Sequence, residues 1–276
     1  MILDQLCPAL DEPVGQAQVR MKGFLNSLSA AYPSIWNASQ PVVDYSDPAC
    51  HAAYIFKYVT ANSDLIYQAL RASGSTASAI CKQDSVTIAC IGGGPNTELL
   101  ALFKYLERIP NPAKHVRCIM LDHFAPWEQT FEAVLSTKPD WLTVDVEFVP
   151  MTLTDPASVP RAKIAAADII TFSYSLSEVW RYNGGGVVTA ALDAILGVAK
   201  AGSMIIYSDN AGQHFDPHME RDFSGRSDLT QVGRSDYTHM LIGSEEQMDT
   251  VGSYRDWLDM RPKLRGRATT ATFVKK

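Results

Sequence analysis

The sequence predicts an α/β fold: a doubly wound, mostly parallel sheet of seven strands behind an N-terminal helical segment. Three observations carry this. From residue 84 onward, short apolar runs rich in β-formers alternate with stretches of helical spacing. Those runs are nearly continuously apolar, which is the signature of a parallel sheet covered on both faces. Two more strand-like stretches follow the fifth β–α unit. The expected organisation is a helical cap or lid over 1–83 and a sheet domain over 84–276. With 276 residues, 46% of them hydrophobic, the chain can bury a substantial core.

Taken in order, DEPVGQAQVRMKGFLNSLSAAY reads as one amphipathic helix with Val19, Met21, Phe24, Leu25 and Leu28 as its apolar stripe. DPACHAAYIFKYVTANSDLIYQALRASG predicts two more helices, the second capped by Ser63 or Asp64 and ended by Gly74. SVTIACI is the first strand and runs into GGGPN. NTELLALFKYLERI is a helix, HVRCIMLD a strand, APWEQTFEAVLSTK a helix and WLTVDVEFVPM a strand region. Residues 157–166 allow a short helix. ADIITFSYSLS is the fourth strand with its exit, GGVVTAALDAILGVAKAG a helix ended by Gly202, and SMIIYSDN the fifth strand. RATTATFVKK alternates as a late strand, and YTHMLIG is the candidate for another.

Composition narrows the function classes. No apolar run reaches the roughly 18–20 residues of a membrane span. The segment MILDQLCPALDEPV has no basic region followed by a long apolar stretch, so no secretory signal is expected. Five cysteines, an odd number without C-x-x-C spacing, argue against a disulfide framework or a cysteine zinc site. A reducing setting, cytoplasmic or nuclear, fits. The net charge of −6 is not that of a surface built to grip nucleic acid. The basic stretch RPKLRGR reads first as a solvated loop, with a phosphate-contacting edge as its alternative. Homo-oligomerisation is compatible with all of this.

Right-handed crossovers place the C-terminal ends of the parallel strands on one edge, where ligands of such sheets bind. The candidate site is therefore Gly92–Asn96, Asp122–Trp127, Met151–Asp155, Ser173–Glu178 and Ser208–His214. The order of features along these exits resembles the class I, Rossmann-like S-adenosylmethionine-dependent methyltransferases, well over 85–210 and loosely elsewhere. VTIACIGGGPNTELL looks like that superfamily's first strand, glycine turn and helix. Glycine there lets a cofactor approach the backbone, and the helix N-terminus offers free N–H groups. IMLDH places Asp122 at the second strand's exit, and Asp155 follows the third. LDAILGVAKAGSMIIYSDN resembles the fifth-strand unit, and the late strands fit a sheet with an antiparallel seventh strand.

The resemblance implies S-adenosyl-L-methionine as cofactor. It places Gly92, Gly93, Gly94, Pro95, Glu98, Asp122, His123, Trp127, Thr152, Leu153, Asp155, Ser173 and Tyr174 as cofactor contacts. Asp122 is expected to accept the ribose hydroxyls, Asp155 to meet the adenine amino group and Trp127 to stack on adenine. The sequence departs from the family pattern twice. Cys90 stands where an acid usually precedes the first glycine by two residues, with Glu98 the nearest substitute. Asn96 replaces the last glycine, and Asn tolerates left-handed backbone angles.

Methyl transfer needs an acceptor held in line with the methyl group, water excluded and, for some acceptors, a general base. Within FSYSLSEV, Tyr174 is a candidate wall and Glu178 a candidate base. The structural alternative makes Ser175 and Ser177 caps and Glu178 a first-turn acid. Tyr54 and Tyr58, four residues apart on one helical face, and Asp209, Asn210 and His214 are candidate acceptor contacts, with packing of both tyrosine rings against the sheet domain the preferred alternative for the first two. Asp44 and Tyr45 are further candidates for the pocket wall. Asp209-Asn210 resembles part of a magnesium site but lacks the partner acid on the fourth strand, so no metal is expected. Pro217 breaks the spacing of His214 and His218.

The absence of an N/D-P-P-Y/F sequence lowers adenine or glutamine amino groups as acceptors. RNA, protein and small molecules remain. The form GGGP-x-x-E-L is loosely similar to fungal ribosomal-RNA uridine methyltransferases, whereas size, acidity and the helical lid favour a small molecule. The alternative functions are an inactive cofactor-binding partner subunit, suggested by Cys90 and Asn96, and a nicotinamide-dependent oxidoreductase. The latter's fingerprint needs glycine where Thr97 stands and an acid about 20 residues on, nearer than Asp122.

Overall fold

The computed structural model describes residues 2–11, 13–32, 35–37, 44–237, 245–263 and 266–276. Five helices precede the sheet: α1 (Ile2–Leu6), α2 (Val14–Ala31), α3 (Pro48–Tyr54), α4 (Thr60–Ala72) and α5 (Gly74–Cys81). The alternating part runs β1 (Ser85–Ile91), α6 (Thr97–Leu106), β2 (His115–Asp122), α7 (Phe131–Leu135), β3 (Thr143–Pro150), α8 (Arg161–Ala165), β4 (Ile169–Ser173), α9 (Leu176–Val179), α10 (Val187–Val198) and β5 (Met204–Asn210). It closes with α11 (Asp216–Met219), β6 (Leu229–Tyr237), α12 (Glu245–Leu258) and β7 (Ala268–Lys275).

The seven strands form one sheet in the order β3-β2-β1-β4-β5-β7-β6. β1 to β5 are mutually parallel, and β7 runs antiparallel between β5 and β6. This is the methyltransferase-type sheet expected from the sequence. A dinucleotide fold would place a parallel sixth strand beside the fifth.

Alternation along each strand builds two cores. Ile88, Cys90, Cys118, Met120 and Ile206 face one side, packed against α2 to α6. Ala89, Ile91, Ile119, Leu121, Ile170, Phe172 and Ile205 face the other, under α8 to α10. The N-terminal helices are therefore not appended to the sheet but cover one of its faces. Two buried cores of this kind are what two covered faces require.

Four sequence expectations need correction. In α2, Met21, Leu25 and Leu28 are buried but Val19 is 70% exposed, so the stripe is narrower than read. The two helices expected over 47–74 are one continuous run, because a π-helical turn, Ile55–Val59, joins α3 to α4 without leaving helical angles. Asp47 caps this run by accepting the Ala49 N–H at 2.8 Å, with Pro48 at the first helical position. Ser63 and Asp64 thus lie inside a helix. Ser63 bonds back to the Thr60 carbonyl and Asp64 pairs with Lys104 of α6. Gly74, at φ +53°, marks the break before α5.

The helix expected from APWEQTFEAVLSTK splits into a 3₁₀ stretch, Ala125–Thr130, and the short α7. The sixth strand is Leu229–Tyr237 rather than YTHMLIG, of which 238–243 lie outside the described residues. That edge strand carries Thr230, Gln231, Arg234 and Asp236 and is largely exposed, so it has no apolar pattern to read.

Candidate functional site

The exits of β1, β2 and β4, with the segment after β3, meet at the C-terminal edge of the sheet. The turn after β1 is shaped by left-handed residues: Gly92 at φ +63°, Gly94 at φ +45° and Asn96 at φ +63°. Asn96 therefore fills a glycine-like position, as its short polar side chain permits. The glycines answer to the protein's own packing. A Cβ on Gly92 would lie 2.5 Å from the Ser175 Cβ, and one on Gly93 would lie 2.2 Å from Met120 Sδ. At Gly94 the nearest atoms belong to the Trp127 indole, at an ordinary 3.6 Å.

A cleft of about 780 Å³, its open mouth included, lies over this turn. Of the residues read from the sequence, Gly92, Gly93, Gly94, Pro95, Glu98, Asp122, His123, Trp127, Thr152, Leu153, Ser173, Tyr174, Glu178, Tyr45 and Tyr54 line it.

The remainder lie elsewhere. Asp155 caps the turn Pro156–Ser158 by accepting the Ala157 N–H at 3.0 Å. Tyr58 packs behind Tyr54, their ring centroids 4.9 Å apart. Asp209 is buried and accepts the N–H groups of Ser177 (2.9 Å) and Asn210 (2.7 Å), tying the end of β5 to α9. Asn210 donates to Ser177 Oγ at 3.0 Å. His214 is exposed and stacks on Trp36 at 4.1 Å. Asp44 is exposed too. Among the described residues, no group of three or more His, Cys, Asp or Glu gathers as a metal site would.

The cleft also takes in Asn62, Thr97, Phe124, Met151, Ser175 and Val179. Thr97, Phe124, Met151 and Ser175 adjoin or lie within the strand exits and were within reach of the sequence. Asn62 comes from α4, and only the packing of that helix against α6 brings it there.

The polar groups divide into satisfied and unsatisfied. Asp122 accepts the Gly94 N–H and the Phe124 N–H, each at 2.9 Å. Burial raises its pKa, against these N–H bonds. Both carboxyl oxygens of Glu98, the Asn62 Oδ1 and the Ser175 Oγ are buried without a hydrogen-bond partner. Such groups cost about 1–3 kcal/mol each when left unmet, and more when charged. Burial pushes Glu98 up to about 8, with Asp122 adding to the rise.

On the opposite side, Glu178 Oε1 accepts Tyr32 Oη–H at 2.6 Å and Tyr45 Oη–H at 3.4 Å. Burial holds Glu178 at about 7, opposed by the Tyr32 hydrogen bond. Tyr174 has the left-handed φ of +55° and donates its N–H to the Ser208 carbonyl. A left-handed tyrosine is a costly backbone state, and such states concentrate at functional sites. Trp127 is stacked on buried His51 at 4.3 Å and flanked by Tyr45 and Tyr54.

No protein-family model matches the chain, and no curated protein matches it. Among solved structures, it is similar to the plantazolicin methyltransferase BpumL in complex with SAH, at 13% identity and a TM-score of 0.47, over 97% of this chain and 100% of that one. It is also similar to loganic acid methyltransferase with SAH, at 9% identity and a TM-score of 0.47, over 86% and 98% of the two chains. The YcgJ protein of Bacillus subtilis gives 14% identity and a TM-score of 0.41 over 75% and 98%. The strand order carries the fold without them.

Proposed function

We propose that the chain binds S-adenosyl-L-methionine in this cleft and transfers its methyl group to an acceptor. The observation that carries the reading is the set of unpartnered buried groups, Glu98, Asn62 and Ser175, gathered around the left-handed turn after β1. An amino-acid ammonium would meet the Glu98 and Asn62 oxygens. Asp122 keeps lone pairs for two ribose hydroxyls beyond the N–H bonds it already accepts. Trp127, Phe124, Met151 and Leu153 supply apolar wall for a planar base. The residues present thus fit the group.

When bound, S-adenosylmethionine supplies an electrophilic methyl carbon on a positive sulfur. The chain's contribution is positioning, exclusion of water and disposal of a proton. We assign proton acceptance to Glu178 and a wall beside the reacting groups to Tyr174. We read residues 1–83 as the cap over the 84–276 domain, because Tyr45, Tyr54 and Asn62 close the cleft from that side. Glu178, half-buried and held near neutrality, favours turnover over a purely binding role.

Titration calorimetry with S-adenosylmethionine and S-adenosylhomocysteine tests the reading. Wild type should bind both, and Asp122→Ala should weaken binding at least tenfold. A wild-type titration without saturable binding would sink it.

A further inference from the structure

A second chamber opens from the cleft, about 1200 Å³ with its mouth included. The two share Tyr45, His123, Phe124, Thr152, Glu178 and Val179 as a common wall. Beyond that wall, Ala31, Ile35, Thr154, Arg181 and Tyr182 line only the second chamber. Resting on the cofactor reading above, we propose that this chamber receives a small, largely apolar acceptor that is methylated on a hydroxyl group, whose proton passes to Glu178.

Glu178 sits where both spaces meet. Hydrogen bonds from Tyr32 and Tyr45 fix one of its oxygens, so the carboxyl is oriented before any acceptor arrives. Around it stand Tyr32 of α2, Tyr45 before α3, Tyr54 and Tyr58 of the long helix, Asp122 after β2 and Asp209 in β5, while His123 and Arg181 line the same chamber. Burial and these acids keep the carboxyl near neutrality, where a base can both take and release a proton.

The chamber wall argues against a nucleic acid. Arg181 is the one Lys or Arg among the described residues that line it. Its guanidinium lies over the Tyr182 ring and donates to the Asn37 carbonyl. A chain of net charge −6 with one cation here has little with which to neutralise a run of phosphates. Ala31, Ile35, Phe124 and Val179 instead offer apolar contact to a compact molecule.

The acceptor atom follows from charge. A carboxylate would need no base and would meet Glu178 as a like charge. An ammonium would have to lie beside the sulfonium. A neutral hydroxyl suits a carboxyl that can take up a proton near neutral pH. Its oxygen bonds to the methyl carbon as the carbon–sulfur bond breaks and that electron pair returns to sulfur. The hydroxyl proton goes to the Glu178 carboxylate, leaving a methyl ether, a neutral thioether and a protonated acid.

Ligand-observed NMR with a panel of phenols, from phenol to 7-hydroxycoumarin, tests this in the presence of S-adenosylhomocysteine. At least one phenol should bind wild type. Ala31→Trp, which fills the chamber from a residue outside the cleft, should weaken that binding at least tenfold while S-adenosylhomocysteine affinity stays within about twofold. Ile35→Trp approaches from a second position should Ala31→Trp fail to fold. Glu178→Gln should keep phenol binding and lower transfer of labelled methyl to the phenol by about 10²-fold or more. No phenol binding, unchanged binding in both tryptophan variants, or label entering total RNA or protein but no phenol overturns the proposal. Failure of wild type to bind S-adenosylhomocysteine overturns the cofactor reading instead, so the two are separable.

Discussion

Ligand binding at the Glu98 end of the cleft should release a proton. Glu98 is buried without a partner and pushed up to about 8. At pH 6 such a carboxyl is ionised in about one molecule in a hundred, and at pH 7 in about one in ten. If the amino-acid ammonium of the cofactor is held by the carboxylate, only that fraction is competent. Apparent affinity should then rise about tenfold from pH 6 to pH 7, or about 1.4 kcal/mol. S-adenosylhomocysteine is the probe of choice, because it has no sulfonium with which Glu178 could interact. Calorimetry in buffers of low and high ionisation enthalpy should report close to one proton released per ligand at pH 6. Glu98→Gln should flatten the pH dependence, whereas Glu178→Gln should leave it. 5′-Methylthioadenosine, which lacks the amino-acid end, should bind with no such dependence. Affinity flat within about twofold over this range, or a slope that survives Glu98→Gln, would refute the reasoning.

The same carboxyl should show in stability. Its folded pKa lies above the unfolded value of 4.5, so its contribution is complete below about pH 4.5 and is lost as pH rises through about 8. Glu98→Gln should raise the thermal midpoint of the ligand-free chain at pH 8 and barely change it at pH 4.5, with a ceiling of about 5 kcal/mol. Gly93→Ala should destabilise by about 1–3 kcal/mol or more in chemical denaturation, because its Cβ would meet the Cys90 Cβ at 2.7 Å, backbone-anchored and unable to swing away. Asn96→Gly should be tolerated and Asn96→Ala should cost about 1–2 kcal/mol by the same measurement, since position 96 has φ +63°. Methyl transfer should be unchanged in EDTA. Asp209→Ala should lower stability by about 1–3 kcal/mol, since the Asp209 oxygens already hold the Ser177 and Asn210 N–H groups.

What could be read from the sequence was whatever repeats at short range. β1, β2, β4 and β5 announce themselves by nearly continuous apolar runs, whereas β3, at the sheet edge, alternates Val144, Val146 and Phe148 with Asp145 and Glu147. β6 does not announce itself, because an edge strand with Arg234 and Asp236 outward has nothing to hide. The turn Gly92–Asn96 and the acid Asp122 stand at strand ends, where topology alone brings side chains together. Asn62 stands in the middle of a helix, and its spacing says nothing of a cleft. It arrives there only because α4 packs beside α6. Asp209 shows the converse. It is a strand-end acid like Asp122, but one oxygen accepts the Ser177 N–H of α9 and the other the N–H of its neighbour Asn210. Sequence position marks an acid as available to a site, and the neighbouring backbone decides whether it is spent on the fold.

The exchange of an acid for Cys90 can be followed the same way. Cys90 faces the core shared with α2 to α6, with its sulfur 3.9 Å from that of Cys118. A carboxylate kept there would be desolvated among thiols and methionine. Glu98 enters the cleft from the first turn of α6 instead, where the helix N-terminus favours negative charge. Burial still outweighs that dipole, since the carboxyl is raised to about 8 rather than lowered. The acid is thus mostly neutral at physiological pH until a cation comes to meet it. A cleft built this way carries little fixed charge at the Glu98 end, and an ion pair there would need a ligand that brings an ammonium.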